Sequence, residues 1–87
     1  MQQNYPENVI VTVRLKQLNL EADVRLSTDS IFENWLPELV EVLNQYRNTD
    51  LDPHTLTVSY NGKKLRANDT LASLGAWDGS VLWLEER

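Results

Sequence analysis

Few side chains in this sequence are of the types that carry acid–base, nucleophilic or metal chemistry. The chain of 87 residues contains no cysteine and a single histidine, His54, which follows Asp52 and Pro53 in a polar segment. A metal site or a general base needs partners that converge on it, and the sequence supplies neither a second histidine nor a thiol. We therefore interpret His54 as a residue of a surface loop.

Three glutamates, Glu33, Glu38 and Glu41, are the other candidates, since neighbouring carboxylates can transfer protons or bind hard cations. At helical spacing they fall on the side opposite the apolar residues, so we interpret them as a solvated helix surface. The sequence contains no Gly-x-Ser-x-Gly turn and no glycine-rich phosphate loop. We predict a protein that is not an enzyme and that uses no cofactor and no metal.

Composition and charge limit the remaining function classes. Thirteen acidic residues against eight basic ones give a net charge of −5, and such a chain repels a phosphate backbone on average. No apolar run approaches the roughly 20 residues that a membrane span needs, and residues 1–4 do not resemble a signal peptide. We predict a cytoplasmic protein with no nucleic-acid partner and no direct membrane insertion.

Two amphipathic strands open the predicted fold. We expect residues 1–7 to be a flexible N-terminal lead-in and residues 8–87 to form one domain, because a chain of this length has room for one modest core. Apolar residues alternate with polar ones over 9–15 and again over 20–26, which is typical of strands buried on one face. Residues 17–19 are the predicted turn between them.

A helix is predicted over residues 31–46. Ser30, with Glu33 three positions later, fits a capping box at its start. Pro37 interrupts the helix, so either the helix is kinked there, or a first turn ends near Leu36 and Pro37 opens the main helix. The residues expected on the core side at helical spacing are Ile31, Trp35, Leu39, Val42 and Tyr46, flanked by Phe32, Leu36 and Leu43.

The last third of the chain predicts a strand over 56–60, a tight turn at Asn61 and Gly62, a short strand ending at Leu65 and a final strand over 80–85. One helical turn closed by Gly75 precedes the final strand. Without the short strand that ends at Leu65, the order is ββαββ with a short helix before the last strand. This order predicts an α+β fold with a mixed sheet packed on one main helix. The strand residues expected to face that helix are Val11, Val13, Val24, Leu26, Val58, Leu82 and Leu84.

Two parts of the sequence resemble known families. Residues 58–65, followed by 70–75 and 78–82, are similar to the ubiquitin superfamily and imply a ubiquitin-like β-grasp. Residues 26–30, followed by residues 36–43 with their Leu-Pro-Glu-Leu helix start, resemble the ubiquitin-like proteins of bacterial type VII secretion systems. These are the free-standing YukD/EsaB type and the N-terminal cytosolic domain of the membrane component EccD.

The resemblance implies a protein-interaction module whose partners are other protein components of a secretion apparatus, or a second copy in a homodimer. It also implies a place in the cytoplasm, or at the inner face of the membrane through those partners. Two alternatives stay open. One is a modifier or sulfur carrier with a processed C-terminus, although residues 84–87 lack the terminal Gly-Gly that conjugation uses. The other is a domain excised from a larger membrane protein such as EccD.

Trp83 is the first candidate for the interaction surface. If Leu82 and Leu84 enter the core, Trp83 stands on the open face of the sheet, and an exposed tryptophan there is a common interface anchor. The alternative is a surface tryptophan packed on Arg or Lys stems. The residues expected near it on that face are Ile10 or Thr12, and Ser59.

Ubiquitin carries an aliphatic patch on the same face, and the resemblance places Ser59 and Glu85 at the matching positions. Ordinary ubiquitin receptors are therefore not expected to bind. Trp77, in the loop before the final strand, is either a second contact residue or a lid over the edge of the core. The candidate interaction surface thus comprises Trp83, Ser59, Ile10 and Trp77.

Overall fold

The protein consists of a five-stranded mixed sheet with a long helix on one face. A computed structural model describes residues 6–87. The strands, in the spatial order β2-β1-β5-β3-β4, are β1 (Asn8–Leu15), β2 (Leu20–Ser27), β3 (Leu56–Tyr60), β4 (Lys63–Lys64) and β5 (Val81–Glu86). The helices are α1 (Phe32–Arg47) and α2 (Leu71–Leu74), with 3-10 turns at Lys16–Leu18 and Pro53–Thr55. The predicted α+β fold is confirmed.

Strand β1 pairs antiparallel with β2 and parallel with β5. Its alternating pattern places one set of side chains against α1, and each of these is at most 1% exposed: Val9, Val11, Val13 and Leu15. Leu82 and Leu84 of β5 and Val58 of β3 complete this layer, exposed by no more than 2%. The strand residues predicted for the core are therefore inside it, with Val24 only partly buried at the sheet edge.

The buried side of α1 differs from the predicted one. It consists of Trp35, Leu36, Leu39, Val40 and Leu43. Val42 is 43% exposed and Tyr46 81% exposed, so their predicted core positions are wrong. Residues of a helix are rotated by about 100° from one to the next, which leaves Val42 at the margin of the buried arc. Tyr46 lies beyond Leu43, the last buried residue of the helix.

The start of α1 is held by another part of the chain. The helix begins at Phe32, and Ile31 is an N-cap without a side-chain hydrogen bond, so the capping box predicted for Ser30 is wrong. The backbone N–H of Phe32 donates to the carbonyl of Asp69 at 2.7 Å, and that of Glu33 donates to the carbonyl of Ala67 at 3.1 Å. Because these carbonyls satisfy the free donors of the first turn, no side-chain cap is needed.

Pro37 lies inside α1, which continues across it without a break. The alternative in which Pro37 opens the main helix is therefore wrong. Proline has no N–H, so the carbonyl of Glu33 lacks the helical partner that residue 37 would otherwise supply. The helix ends at Arg47, followed by Asn48 in the left-handed conformation at φ 56°.

Buried Thr28 fastens the chain before β1 to the rest of the fold. Its hydroxyl donates to the carbonyls of Pro6 at 2.6 Å and Glu7 at 3.1 Å, and its own carbonyl accepts from the N–H of Ala72 at 2.9 Å. The remaining residues of the predicted lead-in, 1–5, lie outside the described residues.

The turns of the last third follow the predicted positions. Asn61 and Gly62 both have positive φ, 53° and 78°, as a two-residue hairpin turn requires. Thr70 and Ser73 form a capping box at the start of α2, and Gly75 ends that helix at φ 75°. These turns bring β5 into the sheet between β1 and β3.

Candidate protein-interaction surface

One residue from each strand forms a row across the open face of the sheet, the face turned away from α1. The strand register places them side by side, and we term them the central row: Glu21, Arg14, Trp83, Ser59 and Lys64. Trp83 stands in the middle because β5 is the central strand of the sheet order.

Trp83 is 41% exposed, whereas its neighbours Leu82 and Leu84 are exposed by 0% and 2%. The alternation of β5 therefore places the indole on the open face. Its neighbours across the strands are Arg14 and Ser59. Arg14, rather than the expected Ile10 or Thr12, lies opposite Trp83, because the parallel offset between β1 and β5 aligns Thr12 with Val81.

Arg14 packs against one side of the Trp83 ring. Its guanidinium carbon lies 5.5 Å from the centroid of the Trp83 ring, within the range of a cation–π contact. Its Nε donates to Oε1 of Glu21 at 3.1 Å. The packing on an arginine stem is thus present, yet two-fifths of Trp83 still faces outward.

A groove of about 620 Å³ opens along Trp83 on the side of β3. Ser59 and Thr57 line it, and charged side chains stand around it: Lys16 after β1, Lys64 on β4 and Glu85 on β5. A groove with a tryptophan along one side can accept an apolar side chain of a partner.

Among the described residues, the two lysines of the groove, Lys16 and Lys64, have no acidic partner. Within residues 6–87, Arg14 forms an ion pair with Glu21 and His54 contacts Asp52, and neither Lys16 nor Lys64 takes part in such a contact. With Glu85 as the single carboxylate that lines it, the groove carries a local positive excess in a chain of net charge −5. This sign favours an acidic group on the occupant.

Ile10 lies on the same face at a distance from the central row. It is 43% exposed and stands four residues before Arg14 on β1, which corresponds to roughly 13 Å along the strand. Its N–H donates to Oδ1 of Asp78 at 2.8 Å, and its carbonyl accepts from Gly79 at 2.9 Å. The loop before β5 is thereby fixed beside Ile10.

Trp77 begins that loop and is 54% exposed. Its N–H donates to Oγ of Ser80 at 2.9 Å, and its carbonyl accepts from the N–H of Ser80 at the same distance. Of the four candidates, the structure brings Trp83 and Ser59 into one row. It places Ile10 and the Trp77 loop at the other end of β1.

Sequence reasoning missed Arg14, Lys16 and Lys64. The period-two pattern of β1 places Arg14 on the open face, so its side of the sheet could have been read from the sequence. The alignment of Arg14 with Trp83 could not be predicted, because the sequence does not determine the offset between two parallel strands.

His54, the first residue considered for chemistry, is not among the residues that line the groove. His54 has a side chain that is 93% exposed, with Nδ1 3.2 Å from Oδ1 of Asp52. The backbone N–H of His54, followed by its side chain, hydrogen-bonds the Asp52 carboxyl and lowers the pKa of Asp52. In the part of the chain that the structure describes, no three His, Cys, Asp or Glu side chains are grouped as metal ligands.

Over residues 6–87, neither α1 nor α2 has both the length and the apolar character that crossing a membrane requires.

Comparisons with known proteins identify relatives of the sequence and of the fold. A family model described as "WXG100 protein secretion system (Wss), protein YukD" matches residues 8–84. Similar solved structures include a de novo design based on ubiquitin, with a TM-score of 0.71 and 26% sequence identity. The match covers 95% of this chain and 93% of the design. A second is the N-terminal ubiquitin-like domain of the 4931431F19Rik protein, with a TM-score of 0.69 and 21% sequence identity, covering 100% of this chain and 82% of that domain's chain. The comparison with curated proteins gives no match. The fold is a ubiquitin-like β-grasp.

Proposed function

The chain belongs to the YukD family of the WXG100, or type VII, secretion system, and from this we propose that it is a non-enzymatic module that binds another secretion component on its open sheet face. The observation that carries the proposal is Trp83, 41% exposed beside a groove bordered by Lys16 and Lys64. We place this binding in the cytoplasm, or at the inner face of the membrane through the bound component.

The geometry of Trp83 suits an interface anchor. Its ring is held on one side by Arg14, which is itself fixed by Glu21. A side chain that is ordered before binding loses less conformational entropy when a partner covers it. Burial of the exposed part of the indole then contributes to affinity, and an interface tryptophan commonly contributes about 2 kcal/mol or more.

The charges of the groove indicate the chemistry of the bound segment. An apolar side chain against Trp83 and an acidic group between Lys16 and Lys64 would satisfy both features of the groove. We therefore propose a partner segment that combines an apolar residue with at least one carboxylate.

We also propose that the module acts without being conjugated to targets. Glu86 pairs with Leu56 at the end of β5, and the backbone N–H of Arg87 donates to the carbonyl of Thr55 at 2.8 Å. The Arg87 guanidinium donates in addition to the carbonyl of His54. Glu86 and Arg87 are thus held at the sheet and do not themselves form the extended segment that an activating enzyme takes up.

Affinity capture with the tagged protein as bait tests the proposal. The bait is incubated with the cytosol and the solubilised membranes of the native cell, and bound proteins are identified by mass spectrometry. Trp83→Ala is compared with Tyr46→Ala, which removes an 81% exposed aromatic ring from α1 on the other face of the sheet. We expect secretion components with the wild type and with Tyr46→Ala, and their loss with Trp83→Ala.

Two results would contradict the proposal in different ways. Equal recovery of secretion components by Trp83→Ala would place the interface elsewhere on the domain. Absence of any secretion component from the wild-type capture would remove the proposed function itself.

The charge of the groove has its own matched control. Lys63 and Lys64 are adjacent on β4, and Lys64 lines the groove while Lys63 pairs with Tyr60, whose side chain packs against the core on the other face. Lys64→Glu should weaken capture, and more so at low salt, whereas Lys63→Glu should leave it unchanged. Equal effects of the two variants would show that only the net charge of the domain matters.

A further inference from the structure

Strand β2 forms one edge of the sheet over eight residues. In an antiparallel ladder, the residues that bond to the neighbouring strand alternate with those that bond outward. The N–H of Thr28 donates to the carbonyl of Glu7 at 2.9 Å, so the even-numbered residues of β2 bond to β1. The odd-numbered residues Asp23 and Arg25 therefore present their N–H and carbonyl groups to the outer edge.

Two further hydrogen bonds agree with this assignment. Arg47 of α1 donates its guanidinium to the carbonyl of Glu21, an odd-numbered residue, at the outer edge of β2. On β1, the carbonyl of Ile10 and the N–H of Thr12 bond away from β2, to Gly79 and Ser80. The outer edge of β2 thus presents N–H and carbonyl groups from alternate residues, as an added antiparallel strand requires.

The side chains at this edge are complementary to their own copy. We propose that a second copy of this chain pairs antiparallel with β2, with Val24 of each copy at the two-fold axis. In this register Asp23 of each copy forms a hydrogen-bonded backbone pair with Arg25 of the other. Directly opposite residues have Cβ atoms about 5 Å apart, so two symmetric carboxylate–guanidinium pairs form on the open face.

The charges select this register over its neighbours. A shift that centres the pairing on Asp23 places two aspartates opposite each other. It also brings Glu21 opposite Arg25, but this pair needs the backbone carbonyl of Glu21, which already accepts from Arg47. A shift that centres the pairing on Arg25 places two arginines opposite each other. Within residues 6–87, Arg25 takes part in no ion pair. Asp23 accepts one hydrogen bond, from the hydroxyl of Thr12 to Oδ1 at 2.7 Å, which leaves Oδ2 for a second copy.

The core side of the same edge is also consistent with an added strand. Ala22 and Val24 are partly buried apolar residues that pack against the core. The proposed register brings Val24 against Val24 of the second copy and Ala22 against its Leu26. Such an isologous contact closes on itself as a two-fold dimer. The central pairs do not use the carbonyl of Glu21, so the contact with Arg47 persists.

This inference goes beyond the proposed function, because edge-to-edge pairing leaves the Trp83 groove uncovered. Charge reversal at the edge tests it by sedimentation equilibrium over a concentration series at low salt. Asp23→Arg places arginine opposite arginine, and Arg25→Asp places aspartate opposite aspartate. We expect each variant alone to dissociate with a constant raised by at least about tenfold relative to wild type.

An equimolar mixture of the two variants supplies the decisive result. Both central pairs between Asp23→Arg and Arg25→Asp again join opposite charges, so the mixture should form a heterodimer that is tighter than the homodimer of either variant alone. The double variant with both reversals should self-associate like the wild type. Trp83→Ala should also retain self-association, which separates this edge from the open face.

Folding of each variant is checked by its thermal midpoint and circular dichroism. A wild type that stays monomeric throughout the series would overturn the proposal and show that the alternating charges protect the edge instead. A wild-type dimer combined with a mixture that stays monomeric would overturn the register.

Discussion

Trp35 and Trp83 carry the same side chain into opposite environments. Trp35 is 1% exposed and meets Phe32 edge to face, with ring centroids 5.0 Å apart at 76°. Trp83 is 41% exposed on the open face. Hydrophobicity alone does not separate the two, whereas periodicity does. Trp35 falls on the apolar stripe of a helix, and Trp83 falls between two inward leucines of a strand.

Periodicity does not predict which groups surround each tryptophan ring. The Nε1 of Trp35 has no hydrogen-bond partner among the described residues, although the sequence gives no sign of this. The contact between Arg14 and Trp83 depends on the offset of β1 against β5. The face of a residue is encoded locally, but its cross-strand partner is decided by tertiary packing.

Asp52 provides a test at the level of a single residue. The pKa of its carboxyl is lowered from 3.8, first by the backbone N–H of His54 and then by the His54 side chain. A carboxyl with a lowered folded-state pKa contributes stability above its unfolded pKa, and this contribution is lost as pH falls through the folded value. We expect an NMR titration to place the pKa of Asp52 below 3.8.

The variant His54→Ala distinguishes the two causes. Because the backbone N–H remains, Asp52 should still titrate below its ordinary value, with a smaller shift. A wild-type Asp52 that titrates at 3.8 or above would show that the hydrogen bond from His54 is not formed in solution.

At the scale of the elements, the two helices begin in different ways. Thr70 and Ser73 cap α2 reciprocally, at 2.9 Å and 3.0 Å, whereas Ser30 makes no cap for α1. Thr70→Ala should therefore reduce the free energy of unfolding by about 1 kcal/mol. Ser30→Ala should change it by less than about 0.5 kcal/mol. Urea denaturation measures both, and a larger loss for Ser30→Ala would contradict the observed start of α1.

This difference also shows where local sequence patterns fail. The Ser30 and Glu33 spacing is typical of a capping box, and so is the spacing of Thr70 and Ser73, yet only the second one forms. The carbonyls of Ala67 and Asp69 occupy the first turn of α1 instead. They come from a distant part of the chain, and no window of sequence around Ser30 contains them.

At the scale of the whole molecule, one small core supports the four long strands β1, β2, β3 and β5. Leu39 and Leu82 are both 0% exposed, whereas Val42 of the same helix is 43% exposed. Leu39→Ala and Leu82→Ala should each lower the free energy of unfolding by about 2–5 kcal/mol, because each leaves a cavity. Val42→Ala should cost less than about 0.5 kcal/mol.

The urea midpoint of each variant checks this assignment. A midpoint unchanged by Leu39→Ala or Leu82→Ala would refute the core, and a loss at Val42 as large as at Leu39 would refute the orientation of α1.

Most of the fold followed from the sequence because its turns and alternating strands are local signals. The groove did not, since its residues come from four separate segments.

Activation by an enzyme of the kind that charges ubiquitin tests the whole domain in another way. We expect no ATP–pyrophosphate exchange in the presence of this protein, because the end of β5 and Arg87 are hydrogen-bonded to the segment before and at the start of β3. A known ubiquitin-like modifier serves as the positive control. Exchange that depends on this protein would contradict the proposal that it is not conjugated.

The most direct test of the account is the affinity of the domain for the secretion component recovered by capture. Calorimetry with the purified component should give a dissociation constant raised about 30-fold by Trp83→Ala, which corresponds to roughly 2 kcal/mol. Tyr46→Ala should leave the constant unchanged, and both variants should keep the thermal midpoint of the wild type. A stable Trp83→Ala domain that binds with wild-type affinity would contradict the claim that the open face of the sheet is the binding surface.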